Sequence, residues 1–200
     1  SYSFLFYVCL VFNHNIPEEE IYLYRDNLKI VAIFHVVGKV GIFDVILKKT
    51  FPRFTDEERS IMKGHTVIGA QLFDPPESPL DRMSMEIALH HHDRWDGGPS
   101  GYPGDIKLNQ FDIKEGVLPI CPPLTGKDIP LSARIVAVAD VFDALSHKRC
   151  YKEAWSIEDA FAEIQNSSGT HFDPEVVLAF IQVKDRICSI QMAYPDDPED

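Results

Sequence analysis

Apolar residues recur along most of the chain at the spacing of one helix face, and strand-like alternation is weak. The pattern predicts helices at residues 1–13, from Pro17 to near Gly38, from Thr55 to about Phe73, at 80–93, at 131–147, after Ser156, and from Asp173 to about Met192. Thr55 and Glu58 have the spacing of a capping box. Residues 40–48 are predicted to be a short apolar connection, and 96–128 a long loop rich in glycine and proline. The sequence therefore predicts an all-α fold.

Composition bounds the size and the partners of this fold. The 200 residues, 45 % of them apolar, suit one compact domain over 1–200, with N-terminal helices at 1–30 and a frayed acidic tail at 195–200. A net charge of -12 argues against a DNA-binding protein. The apolar run at residues 1–12 is too short to span a bilayer, so we expect a buried helix and no membrane span. Four scattered cysteines favour a reduced, cytoplasmic protein, and the absent initiator Met suggests a piece of a longer regulator.

Four histidines and one aspartate are candidates for metal binding. His35, His65, His91 and His92 stand among apolar residues of predicted helices. A single histidine in such a place is more often a core residue, but Asp140, inside an apolar helix, is costly to bury without a cation. Asp143 shares the face of Asp140, either as a ligand or as a salt-bridge partner. Imidazole and carboxylate suit iron, manganese or zinc, and without nearby cysteines a structural zinc site is not favoured.

Short motifs between about Ile33 and Phe180 resemble the HD-GYP family of the HD phosphohydrolase superfamily. These motifs are His-Val-Val-Gly-Lys-Val-Gly-Ile (35–42), Met-Lys-Gly-His (62–65), His-His-Asp-Arg-Trp-Asp-Gly (91–97), Gly-Tyr-Pro (101–103), the apolar segment 129–145, Arg-Cys-Tyr-Lys (149–152) and Gly-Thr-His-Phe-Asp-Pro (169–174). Each alone is weak, but their order and spacing are specific.

The resemblance implies an HD-domain helical bundle around a metal site, and hydrolysis of cyclic di-GMP to pGpG or GMP. It assigns one or two divalent ions, iron or manganese, to His35, His65, His91, His92 and Asp140. It places Lys39, Tyr102, Asp143, Arg149 and Lys152 at the substrate, with Lys39 and Tyr102 also catalytic. It further implies bacterial signal transduction, in a response regulator with a GGDEF-type or other regulatory protein as partner, or as a homodimer.

The chain departs from the family pattern at several positions. The His-Asp pair of the family name is here His35-Val36, and valine cannot bind a metal. Asp93 stands where glutamate is usual, and residues 1–5 offer none of the upstream ligands that some members have. Gly98-Pro99-Ser100 is about two residues longer than usual, and 104–124 is an insertion that would form a lid, fill the pocket or lie on the surface.

Two interpretations therefore remain open for the function. The first is a metal-dependent cyclic di-GMP phosphodiesterase, weakened by Val36. The second is an inactive domain that binds cyclic di-GMP or a partner protein, with a dimerisation or scaffold module as a weaker variant. The remaining histidines are predicted not to be ligands: His171 would cap and pack the last helix, His90 precedes the ligand pair, and His14 and His147 would lie on the surface.

Overall fold

The computed structural model describes residues 18–49, 54–102, 123–147 and 155–193. The helices of these ranges are α1 Glu18–Val31, the 3-10 helix η1 Ala32–Gly41, α2 Asp44–Leu47, α3 Asp56–Lys63, α4 His65–Gln71, α5 Pro79–His90, the 3-10 helix η2 Gly126–Asp128, α6 Leu131–Ser146, α7 Ile157–Asn166, α8 Pro174–Gln182 and α9 Lys184–Ala193. The only β pairing within these ranges is an isolated bridge between Ser168 and Phe172. The all-α prediction is confirmed. The predicted helix at 1–13, the tail at 195–200 and most of the insertion at 104–124 lie outside the described residues.

Side-chain caps fix the starts of four helices. Thr55 accepts a hydrogen bond from the Glu58 N–H, and the Glu58 carboxylate accepts one from the Thr55 N–H, which confirms the predicted capping box. Ser78, Ser156 and Asp173 each accept a hydrogen bond from a backbone N–H in the first turn of α5, α7 and α8. These caps satisfy donors that a helix start otherwise leaves unpaired.

Three predicted helices are shorter than the periodicity indicated. The helix predicted from Pro17 changes into the tighter η1 at Ala32. The helix predicted from Thr55 breaks between Lys63 and His65, and the last predicted helix breaks at Val183. The predicted connection at 40–48 contains the one-turn helix α2. Periodicity missed the breaks because apolar spacing continues across them, whereas the close packing of neighbouring helices decides where a turn tightens.

Helix α6 lies in the core, as its apolar centre predicts. Its residues Ile135, Val136 and Val138 are almost fully buried. Phe142 at its C-terminal half meets Phe161 of α7 and Phe180 of α8, with ring centroids 5.0 and 5.1 Å apart. Helix α6 also packs against α5, so the element that carries Asp140 touches the element that ends in the histidine pair.

No helix in the described ranges has the length and apolar character needed to cross a membrane. Of the four cysteines, Cys188 lies in these ranges, partly buried, as a free thiol.

Candidate metal centre

Four elements bring the candidate ligands together. His35 lies in η1, His65 begins α4, His91 and His92 follow the last residue of α5, and Asp140 lies in α6. The ring centroids of His35 and His65 are 5.3 and 5.4 Å from that of His91. The Nε2 of His35 is 3.4 Å from an oxygen of Asp140. The five side chains thus form one histidine cluster with a carboxylate at its edge.

Gly38 allows η1 and α4 to approach closely enough to form this cluster. A Cβ atom at Gly38 would lie 1.8 Å from the backbone oxygen of His65 and 2.5 Å from the backbone nitrogen of Gly69. No side chain larger than hydrogen fits there, because all the obstructing atoms are backbone. Gly38 therefore sets the separation between His35 and His65.

Three histidines are each held by a hydrogen bond from Nδ1 to a backbone carbonyl three or four residues earlier. His35 Nδ1–H donates to the Ala32 carbonyl at 2.6 Å, and His65 Nδ1–H to the Met62 carbonyl at 2.7 Å. His91 Nδ1–H donates to the carbonyls of Ile87 and Ala88 at 2.9 and 3.1 Å. Because His65 and His91 carry the proton on Nδ1, the lone pair of each of these two rings is on Nε2. Backbone bonds of this kind orient histidines for metal binding.

Burial keeps His65, His91 and His92 neutral. Loss of solvent lowers the pKa of His65 to about 4, despite its hydrogen bond to Met62. Burial, reinforced by neighbouring histidines, also lowers the pKa of His91 and His92 well below the usual value. Burial opposes the ionisation of Asp140, but a hydrogen bond and charge from His35 outweigh it, so its pKa is lowered. At neutral pH the cluster therefore offers imidazole lone pairs and a carboxylate.

The donor set fits a metal ion. One nitrogen from each of His65, His91 and His92 lies within 4.8 Å of the others. The Nε2 atoms of His65 and His91 are 3.4 Å apart, and both carry lone pairs. Two buried acceptors facing each other repel unless a cation or a proton lies between them. Low pKa values disfavour the proton, so the pair could hold a metal ion.

Val36 and Lys39 follow His35 in η1 and differ in the chemical groups that they bring to the cluster. Val36 is half-buried and provides no ligand atom. Lys39 is exposed, and its positive charge contributes to the lowered pKa of His65 and His92. Lys39 therefore lies close enough to the cluster to contribute to its electrostatic field.

Tyr102 packs on the histidine cluster. Its ring stacks on His92 with a centroid separation of 4.4 Å, and its backbone N–H donates to the His92 carbonyl at 3.2 Å. Burial, with a smaller effect from Asp140, raises its pKa, so the hydroxyl stays protonated at neutral pH. The ammonium of Lys63 lies 5.1 Å from the ring centroid. Sequence analysis assigned Lys63 no role, although it belongs to the Met-Lys-Gly-His motif.

A tight turn behind the histidines fixes the path of the chain to Tyr102. Arg94 donates two hydrogen bonds to the Asp96 carboxylate, and these, followed by the Gly98 N–H, lower the pKa of Asp96 to about 2. Gly97 has φ 68°, a conformation that favours glycine. The Trp95 N–H donates to the His171 carbonyl at 3.1 Å. The Trp-Asp-Gly signature thus ties the histidines to the start of α8.

The other residues that the sequence singled out, where the structure describes them, have partners of their own. His90 Nδ1 is 2.7 Å from the Asp93 carboxylate, which also accepts the Leu124 N–H at 3.2 Å. His171 stacks on Phe172, while Asp173 supplies the cap of α8 that was expected from His171. Asp143 is 3.4 Å from His147. Arg149, Lys152 and His14 lie outside the described residues.

Comparison with protein families matches two HD domain descriptions, one over residues 17–145 and one over 123–176. A cyclic di-GMP phosphodiesterase of Thermotoga maritima is 39 % identical over 171 residues, covering 86 % of this chain and 41 % of the relative. A cyclic di-GMP phosphodiesterase of Vibrio cholerae is 42 % identical over 170 residues, covering 82 % and 30 %. A 3'3'-cGAMP-specific phosphodiesterase of the same organism is 36 % identical, covering 86 % and 29 %.

The chain thus spans less than half the length of these relatives. Among solved structures, a cyclic GMP-AMP-specific phosphodiesterase of Vibrio cholerae superimposes with a TM-score of 0.54 at 17 % identity, covering 94 % of this chain and 45 % of that one. This similarity shows the shared helical fold. With the family match, the motif order and the Gly-Tyr-Pro motif that follows the histidines in sequence, the chain belongs to the HD domain family, in its HD-GYP branch.

Proposed function

We propose that this chain is a metal-dependent phosphohydrolase domain that binds and slowly hydrolyses cyclic di-GMP or a related cyclic dinucleotide. The observation that carries the proposal is that the buried Nε2 atoms of His65 and His91 lie 3.4 Å apart, on rings whose Nδ1 atoms face backbone carbonyls. Relatives named as phosphodiesterases of cyclic di-GMP and of 3'3'-cGAMP support this substrate class.

His65, His91 and His92 would hold the metal, with His35 and Asp140 completing the set. A divalent ion bound there, iron or manganese, supplies an activated water and neutralises charge on a phosphate oxygen. Because the HD pair lacks its aspartate at Val36, the site has fewer anionic ligands for a second ion. We therefore expect one tightly held metal.

The side chains around the metal would handle the charge of the phosphodiester. Lys39, which lies in η1, would neutralise negative charge on the phosphate. The protonated Tyr102 hydroxyl would donate a hydrogen bond to the ligand. One face of the Tyr102 ring is covered by His92. The hydroxyl of Tyr102 is therefore better placed than this face to contact a nucleotide. Arg149 and Lys152 are proposed as further phosphate contacts from the sequence alone.

The direct test compares the wild type with Val36→Asp after loading with Fe(II) or Mn(II). We expect about one retained metal equivalent in the wild type, and cyclic di-GMP hydrolysis about 10- to 100-fold faster in Val36→Asp. His91→Ala, which removes a central donor, is the negative control. Less than half an equivalent of metal in the wild type contradicts the metal site, and equal activity of wild type and Val36→Asp contradicts the weakened site.

The second candidate is an inactive domain that binds cyclic di-GMP or a regulatory protein and signals by conformation. Val36 favours it, because loss of the aspartate impairs catalysis more directly than it impairs contacts to the phosphates. Calorimetry separates the candidates: cyclic di-GMP binding without turnover, in metal-loaded protein, supports the second. Absence of binding to any cyclic dinucleotide leaves only a scaffold role.

A further inference from the structure

Lys63 is held beside the proposed site by the same turn that positions a metal-ligand candidate. His65 Nδ1–H donates to the Met62 carbonyl at 2.7 Å, and the Thr66 hydroxyl donates to the Lys63 carbonyl at 3.0 Å. The backbone of Lys63 is therefore fixed relative to His65. The side chain is partly buried, and its ammonium lies 5.1 Å from the Tyr102 ring centroid.

The charge of Lys63 is not used in an ion pair. Lys48, Lys49 and Lys127 each pair with a carboxylate on the described surface. Lys63 and Lys39 have no such partner among the residues that the structure describes. In a chain of net charge -12, these two lysines bring positive charge to a cluster that contains the Asp140 carboxylate, and such charge suits an anionic ligand.

The ring of Tyr102 touches both the histidine cluster and Lys63. It stacks on His92 at 4.4 Å and faces the Lys63 ammonium at 5.1 Å. A cyclic dinucleotide carries two phosphodiester groups, and only one can lie at the metal during attack. The other must lie some distance away, where a positive side chain beyond the metal ligands would neutralise it.

We propose that Lys63 binds the phosphate of a cyclic dinucleotide that is not attacked, and so selects ligands with two phosphates. This inference rests on the proposed function. Since the contact is the same before and during attack, Lys63 contributes to affinity and leaves the rate of the bound complex unchanged. The Met62–His65 turn would thus present a metal ligand and a phosphate contact together.

The test measures the dissociation constant of cyclic di-GMP by calorimetry with Mn(II)-loaded protein, in titrations completed before slow hydrolysis consumes the ligand. Lys63→Met keeps the aliphatic stem and removes the charge, and Lys63→Arg restores it. Lys127→Met, at an exposed lysine paired with Glu175, is the matched control. We expect affinity about tenfold weaker in Lys63→Met, close to wild type in Lys63→Arg, and unchanged in Lys127→Met. Metal content should be equal in all four proteins.

Three outcomes overturn the role of Lys63: wild-type affinity in Lys63→Met, failure of Lys63→Arg to restore binding, or loss of metal together with ligand, which marks a structural role. If the wild type binds metal but no cyclic dinucleotide, the proposed function itself fails. The affinity of the wild type thus distinguishes failure of the function from failure of the inference.

Discussion

Gly38→Ala should damage the metal centre without touching a ligand. The added methyl carbon would lie 1.8 Å from the His65 carbonyl oxygen, whereas ordinary contact begins at 3.4 Å. One of the two elements must therefore move by about 1.5 Å, in a well-packed interior that yields little. We expect a loss of about 3 kcal/mol in the free energy of unfolding, and a melting temperature lower by about 10 °C. Because the obstructing oxygen belongs to His65, metal affinity should also fall by at least about tenfold.

Gly41→Ala is the matched control in the same 3-10 segment. Its added carbon would meet the Ile68 side chain at 3.0 Å, and a flexible side chain can turn away. We expect a change below about 1 kcal/mol and normal metal content. Thermal unfolding followed by circular dichroism, with metal analysis of each variant, gives both readouts. If Gly38→Ala melts like Gly41→Ala and retains its metal, the proposed contact between η1 and α4 is wrong.

Three further predictions concern the cluster and a helix start. In metal-free protein, the free energy of unfolding should fall by at least about 3 kcal/mol from pH 6.5 to 4, because unfolded His65 takes up a proton near 6.5 and folded His65 only near 4, and the lowered pKa values of His91 and His92 add to the fall; a flat profile in urea titrations contradicts the burial of these rings as neutral groups. His91→Ala should reduce metal content to near zero while the helical circular dichroism signal persists, and full retention of metal would exclude His91 as a ligand. Thr55→Ala should cost about 1 kcal/mol through the lost cap of α3, against no measurable change for exposed Lys48→Ala.

Much of the site was predictable because its residue types are unusual where they stand. Histidines at His35, His65 and His91 interrupt apolar helices, and Asp140 interrupts the most apolar helix of the chain. Burial of such groups is costly enough to indicate a function. Motif order then indicated the family, and the structure and comparisons confirm the fold class.

Other features could not be predicted because they depend on contacts between distant segments. No periodicity indicates that Gly38 must face the His65 carbonyl, or that the helix from Thr55 breaks before His65 to turn its ring inward. Lys63 belongs to the Met-Lys-Gly-His motif, but only the position of Lys63 against Tyr102 suggests a role for it. The sequence shows that Asp93 departs from the family pattern. The hydrogen bond that Asp93 accepts from the Leu124 N–H is visible only in the folded chain.

The sequence by itself determined the helical class, the family and the kind of ligand atoms that the chain can offer, because those follow from local periodicity and from residue chemistry. It also determined that Val36 supplies no carboxylate. Only the structure decided which ring nitrogen of His35, His65 and His91 faces inward, since backbone carbonyls three or four residues earlier take the Nδ1 protons. It also decided how close the rings of His35 and His65 lie. That distance is set by the contact of Gly38 in η1 with the backbone of α4, two elements that are separate in the sequence.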